Sequence, residues 1–390
     1  MLINELTLRG ILSFGPDAPP LEMRRLNLLI GPNGSGKSNL IEAIGLLRST
    51  PTKLTAPMRG TGSSTVGEWL WKGSEERTAE IEVVVENPSG SLPLRHSLKF
   101  TEKSSRFELL DELVENAEPY PGHSGPYFYY RFQGGRPVLN AKGEVRRELR
   151  REDVAPDESI LSQRKDPDQY PELAHLSESY TGIRLYREWS FGRTSVFRSP
   201  QDASLPGDRL EEDFSNLGMF LNHLRRKPKA KKAILEQLHD LYEGLDDFDV
   251  RVQGGTVEVF LTEGNFVIPA SRLSDGTLRY LCLLAILCDP DPPPLICIEE
   301  PELGLHPDML PKIADLLIAA SERTQLIVTT HSDMLVDAMT DQPDSVVVLE
   351  KHDGQTQAKR LESNAELNGY LESYRLGEAW LRGLVGGTRW

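Results

Sequence analysis

Gly31, Pro32, Asn33, Gly34, Ser35, Gly36, Lys37 and Ser38 run consecutively and satisfy the pattern G-x-x-x-x-G-K-S/T. Glycines at these positions let backbone N–H groups turn toward an anion, a lysine there reaches the outer phosphates, and the following hydroxyl is an oxygen ligand for Mg2+. The chemistry requires a strand before the loop and a helix after it. Leu26 to Ile30 supplies an apolar strand, and Ser38 to Arg48 a helix with Leu40, Ile41, Ile44 and Leu47 on one face. With those flanks the stretch reads as a phosphate loop, extended by Asn39 and Leu40.

Binding a nucleotide needs only that loop, whereas hydrolysing it needs a metal ligand and a group to deprotonate water. Four apolar residues, Leu295 to Ile298, lead into Glu299 and Glu300. Strand alternation sends such neighbours to opposite sides, so Glu299 is assigned to Mg2+ and Glu300 to the general base. Upstream, Ser274, Asp275 and Gly276 head the apolar helix "YLCLLAIL". A serine there is ordinarily a helix cap. Its company makes a phosphate contact the better assignment, since the acidic strand end follows and His331 closes a further strand, "TQLIVTTHS". His331 is assigned to the γ-phosphate.

The elements that must position these groups are legible in two blocks. "TAEIEVVVE" (78–86) alternates as a strand, and "HSLKFTEKSSRFELL" reads as further sheet with a turn. Between 51 and about 248 the pattern is otherwise weak, with the aromatic burst "GPYFYYRFQGG" assigned to core and base stacking as the alternative. Residues 217–241 turn helical, interrupted by Pro228. From Val250 a hairpin over Gly254 and Gly255 precedes apolar strands alternating with helices, the mark of a parallel sheet covered on both faces.

Composition narrows the class. Of 390 residues 38% are hydrophobic and 26% charged, as in a soluble globular chain. The longest apolar run, Tyr280 to Cys288, is far short of the roughly 18 residues that cross a bilayer, and MLINELTLRG lacks a signal pattern. A cytoplasmic protein with no membrane attachment is expected. Cys282, Cys288 and Cys297 lie in apolar stretches without metal-ligand spacing and read as inert thiols. The formal charge of −15 argues against broad nucleic-acid binding. "RRKPKAKK", Arg225 to Lys232, is the local exception: either a solvated connection between helices or a contact for a DNA backbone.

Taken in order, "GPNGSGKSNL", "ASRLSDGTLRYLCLLAIL", "ICIEEPELGLHPD" and "LIVTTHSD" resemble the ABC-type ATPase head of the SMC, RecF and OLD group, and most of all RecF-like bacterial AAA-family ATPases. The motifs cover residues 1–50 and 265–350. The resemblance implies an α/β P-loop NTPase of the ABC-ATPase head type, with a mixed sheet, an antiparallel β extension and an inserted helical lobe. On that pattern residues 1–160 form the first part of the ATPase lobe, 161–250 the insert, and 251–390 the second part. It also implies ATP and Mg2+ as cofactors and a homodimer or higher assembly with ATP sandwiched between heads, Ser274 acting on the partner's nucleotide.

Three features depart from the pattern. Glu299 stands where many such proteins have Asp, His306 stands where the following loop ends in Asp, and the glutamine that contacts Mg2+ is either Gln163, preferred, or Gln133. Two outputs are compatible with the resemblance: ATP hydrolysis serving DNA maintenance or anti-phage defence, or a nucleotide-gated switch with slow hydrolysis that controls a separate effector such as a nuclease or toxin. A transporter motor is disfavoured, because 237 positions separate Lys37 from Ser274 and LSDGT replaces LSGGQ. A nuclease domain of the OLD type is not expected in the 59 residues after His331.

Overall fold

The computed structural model describes the chain except residues 60–64, 76, 89, 134–135, 142–144, 149–154, 156, 193–194, 242–243 and 388–390, and the side chains of 133, 141 and 145–148. In chain order, β1 (Ile3–Arg9), β2 (Leu21–Glu22) and β3 (Leu26–Ile30) lead into α1 (Lys37–Ser49) and the short α2 (Val66–Trp69). Then come β4 (Thr78–Val85), β5 (Leu94–Lys103), β6 (Arg106–Asn116), β7 (Phe128–Gln133), β8 (Arg136–Ala141) and β9 (Val145–Glu148). They are followed by α3 (Ile160–Gln163), α4 (Pro171–Thr181), β10 (Arg184–Tyr186) and β11 (Gln201–Asp202). Next are α5 (Leu217–Arg225), α6 (Pro228–Leu241), β12 (Asp247–Gln253), β13 (Thr256–Glu263) and β14 (Phe266–Pro269). The last group is α7 (Asp275–Leu287), β15 (Leu295–Glu299), α8 (Leu310–Ser321), β16 (Gln325–Thr329), α9 (Asp333–Asp337), β17 (Val346–His352), β18 (Gln355–Arg360), α10 (Ala365–Leu371) and α11 (Leu376–Leu381).

The six-stranded core sheet has the order β10-β15-β16-β3-β17-β18, its first five strands parallel and β18 antiparallel. A parallel sheet is covered on both faces, so its strands are apolar throughout rather than alternating. Their alternation is instead between two cores. Leu28 and Ile30, Ile296 and Ile298, and Val346 and Val348 enter the core shared with α5 to α8. Leu29, Leu295, Cys297, Val347 and Leu349 enter the other, shared with α1 and the eight-stranded antiparallel sheet β2-β1-β4-β5-β6-β7-β8-β9. In that second sheet β4 alternates buried and half-buried residues as its sequence requires. The β5–β6 turn sets Ser104 and Ser105 at φ 51° and 59°.

A third, smaller sheet joins β11, β13 and β12, with β14 on β13, and lies against α5. The hairpin expected at Gly254–Gly255 is β12–β13. The helical stretch is interrupted as expected: α5 ends at Arg225, and Pro228 opens α6 at the position where a missing N–H is harmless. Between α3 and β12 the regular elements are mainly helices, yet β10 belongs to the core sheet. The aromatic burst is mainly interior: Tyr130 and Phe132 are buried, while exposed Arg131 stacks on Phe128 at 4.9 Å. All three thiols are free and buried, and burial pushes Cys288 up to about 12. Among the described residues no helix is long and apolar enough to cross a membrane.

One buried side chain joins the two large sheets. Gln325 at the start of β16 accepts from Ile3 N at 2.8 Å and donates to Ile3 O at 2.7 Å and Arg24 O at 3.0 Å. Gln325→Leu keeps the volume and orphans both backbone groups of Ile3, so stability should fall by about 2–4 kcal/mol. Urea denaturation with an unchanged m-value is the measurement, and a loss below about 0.5 kcal/mol would show that β1 is held elsewhere.

Candidate functional site

β3 ends at the loop that the sequence marks as phosphate-binding. Gly31 leaves the strand at φ 145°, and a Cβ there would lie 2.1 Å from Leu349 O on β17. Gly36, at φ 106°, caps α1 without a side chain; a Cβ would meet Thr356 Oγ1 at 2.3 Å. Both glycines are therefore required by approach as well as by dihedral. The wall they press against is the β17–β18 hairpin. Thr356 Oγ1 lies 2.8 Å from Ser35 O and 2.7 Å from Ser13 Oγ, which in turn accepts from Asn39 Nδ2 at 2.7 Å. Asn33, Gly34 and Ser38 remain exposed, and Pro32 is half-buried. Lys37 is buried, its Nζ donating to Gly31 O at 2.7 Å and Pro32 O at 3.2 Å. Burial pulls its pKa down, opposed by Glu300, Glu302 and Glu299.

The acidic pair leaves β15 differently from the expected alternation. Glu299 is the last strand residue, and Glu300 already has left-handed backbone at φ 47°. It is this turn, an uncommon conformation for a side-chain-bearing residue, that separates the two carboxylates. Three groups fix it: Glu300 N donates to Thr329 O at 3.0 Å, Arg279 donates to Glu300 O at 2.7 Å, and Trp189 Nε1 donates to Glu299 O at 2.8 Å. The Arg279 guanidinium sits 4.4 Å from the Trp189 ring and 5.5 Å from that of Phe191, and burial lowers its pKa to about 10.

Around that turn the charges interlock. His331 Nε2 is 3.6 Å from Glu300 Oε1. Burial lowers the His331 pKa, and Lys37 lowers it further against the pull of Glu300 and Glu302. Glu302 Oε1 accepts from Thr330 Oγ1 at 2.7 Å and His331 N at 2.8 Å. Its Oε2 is buried with no hydrogen-bond partner among the described residues. Burial raises the Glu299 pKa, chiefly against Arg187, whose Nε donates to Glu299 Oε1 at 2.8 Å while its other arm reaches Glu42 on α1 at 3.1 Å.

Lys37, Glu299, Glu300 and His331 thus come together, with Ser38 opening onto solvent beside Lys37. Ser274 is exposed. It caps α7, its Oγ accepting from Thr277 N at 3.0 Å, and no hydrogen bond among the described residues joins it to the phosphate loop. Gly276 packs on the loop after the acids, a Cβ there lying 3.1 Å from Gly304 O. His306 in that loop is exposed and pairs with Asp308 at 3.3 Å. Gln163 ends α3, where its amide donates to Ser159 O at 3.3 Å and Glu158 O at 3.5 Å. Gln133 pairs with Asp111 through the backbone, and its side chain is outside the described set.

Arg187, Trp189, Arg279, Glu302 and Thr356 are the contributors that motif reading missed. Glu302 alone had a signal, two positions beyond the acid pair. The basic stretch 225–232 is largely neutralised within the chain. Arg225 pairs with Asp249, Lys227 with Asp291 at 2.8 Å, Lys231 with Asp247 at 3.0 Å and Lys232 with Glu236 at 3.5 Å.

Comparison with known proteins identifies the family and the fold. A family model described as "AAA domain, putative AbiEii toxin, Type IV TA system" matches residues 26–337. The chromosome partition protein Smc of Mycolicibacterium paratuberculosis is 32% identical over 104 residues, 25% of this chain and 8% of the relative. That of Mycobacterium tuberculosis is 31% identical over 104 residues, again 25% and 8%. The chain therefore spans under a tenth of the length of these relatives. The structure of an SmcHead bound to the C-winged helix domain of ScpA superposes with TM-score 0.58 at 17% identity, covering 93% of this chain and 98% of that one. A Pyrococcus furiosus Smc head with extended coiled coil, bound to the C-terminal domain of ScpA, gives 0.56 at 15% identity over 95% and 98%. The fold is that of an SMC-like ABC ATPase head.

The charge environment of His331 can be measured directly. Its imidazole should titrate below the usual 6.5. Lys37→Met removes a repelling cation and should raise the midpoint; Glu300→Gln removes an attracting anion and should lower it. Ring-proton NMR reads both, and a shift of the two variants in the same direction would mean that the ring does not lie between those charges.

Proposed function

The chain belongs to the AAA_21 family of AAA ATPase domains, and from that premise we propose that it hydrolyses ATP at a site completed by a second copy. The observation that carries this is the convergence of Lys37, Glu299, Glu300 and His331, with Ser274 exposed and its hydroxyl bonded only to Thr277 among the described residues. Lys37 and the loop N–H groups of residues 33–38 hold the β- and γ-phosphates. Glu300 takes the proton from the attacking water as the water oxygen bonds to the γ-phosphorus and the bond to the bridging oxygen breaks. His331, neutral because burial and Lys37 lower its pKa, donates a hydrogen bond to a γ-oxygen.

Ser38 and Glu299 suit a hard divalent cation because both offer oxygen. They would hold Mg2+, which would supply charge neutralisation at the phosphates. The hydroxyl and helix N-terminus at Ser274 would meet the γ-phosphate of the partner's nucleotide, so closure lasts only while that phosphate is present.

For the output, a protein effector is favoured over DNA lying on residues 225–232, because four of that segment's six cations are engaged by carboxylates of the same chain. A role in DNA maintenance or defence remains compatible with such an effector.

Glu300→Gln should bind ATP, lose on the order of 10²–10⁴-fold in turnover and sediment as a dimer with ATP. Unchanged turnover removes Glu300 as the base, and a monomer at every nucleotide concentration removes the sandwich. Wild-type protein with salt-sensitive affinity for duplex DNA would instead restore the nucleic-acid output.

A further inference from the structure

Arg187 follows β10, and the parallel register Tyr186↔Ile298 sets it alongside Glu299. Its guanidinium spans two walls of the site, with Nε 2.8 Å from Glu299 Oε1 and the other arm 3.1 Å from Glu42 Oε1. Glu42 is one turn beyond Ser38 on α1, so the two share a helix face. The arginine therefore joins the carboxylate assigned to a divalent cation to the helix face that carries Ser38. The backbone of Glu299 is fixed, its carbonyl by Trp189 Nε1 and its strand by β10 and β16.

Resting on the ATPase reading above, the geometry points to Arg187 as an internal counter-cation that competes with the divalent ion for Glu299 and is drawn off by Glu42. In the nucleotide-free chain it neutralises a half-buried carboxylate that is otherwise next to Glu300. When the cation arrives with nucleotide, Arg187 gives up Glu299 and keeps Glu42, so the edge strand β10 registers whether the site is filled. It is a positioning residue and acts through Glu299.

The two carboxylates make opposite demands on Arg187, and the test uses that. Full-length protein with a non-hydrolysable ATP analogue is titrated with Mn2+, and bound metal is read by electron paramagnetic resonance. Arg187→Ala should lower the half-saturating Mn2+ concentration by on the order of tenfold, since an adjacent competing charge is gone. Arg187→Lys keeps the charge and should stay within about threefold of wild type. Glu42→Gln leaves Arg187 no other carboxylate and should raise the half-saturating concentration. These opposite shifts support the inference, because a purely structural role would weaken metal uptake in both variants. An unchanged or raised midpoint in Arg187→Ala, with wild type still taking up Mn2+ only in the presence of nucleotide, overturns the inference and leaves the ATPase reading standing. Wild type that takes up no Mn2+ with nucleotide overturns both.

Discussion

The rest of the structure depends on the register of four neighbouring parallel strands. Tyr186 lies opposite Ile298, Glu299 opposite Thr329, and Thr329 opposite Leu29. Four chain segments separated by up to about three hundred residues therefore leave the sheet at one edge, where α/β folds gather their ligands. Lys37, Arg187, the acidic pair and His331 meet there because of that register. A slip of one residue in β15 would turn Ile298 outward in place of Glu299 and exchange the two hydrophobic cores, so the burial of Leu295 to Ile298 and the position of the carboxylates are a single constraint.

Once gathered, the charges sustain each other. Glu299, Glu300 and Glu302 fall within four residues, an arrangement that burial disfavours unless cations are near. Lys37, Arg187 and Arg279 supply them from three other elements. The backbone is enlisted as well. Glu300 holds a left-handed conformation that costs about 1–3 kcal/mol where nothing over-determines it, and here Thr329, Arg279 and Trp189 clamp the carbonyls and N–H around it. Such a turn, held from three sides, fixes the direction of a carboxylate more tightly than strand alternation would.

What was legible in the sequence is what depends on near neighbours. The apolar runs gave β3 and β15 to within a residue and located β16, which ends at Thr329, short of the His331 expected to close it; the Gly254–Gly255 turn gave its hairpin, and the phosphate loop declared both its flanks. Arg187 was hidden because nothing local distinguishes "LYREWS"; its place follows from β10 pairing with a strand more than a hundred residues away. Thr356 was hidden likewise, since its importance is that Gly36 has no Cβ. The basic run shows the converse failure. Density of like charge in a sequence says nothing of the carboxylates on β12 and before β15 that the fold brings against it.

Ser274 brings the local and the remote together. As a cap it satisfies the Thr277 N–H, and no ligand is required to account for it. Five residues further along the same helix, Arg279 holds the carbonyl of Glu300. A helix is stiff over one and a half turns, so displacement of its capped end is carried to the turn that aims Glu300. Under the proposed mechanism each subunit's acidic turn is thus tied to the partner's nucleotide through α7, and to its own through Lys37 and His331. A site wired in this way reports on two nucleotides at once, which suits a switch that must remain closed until both are hydrolysed.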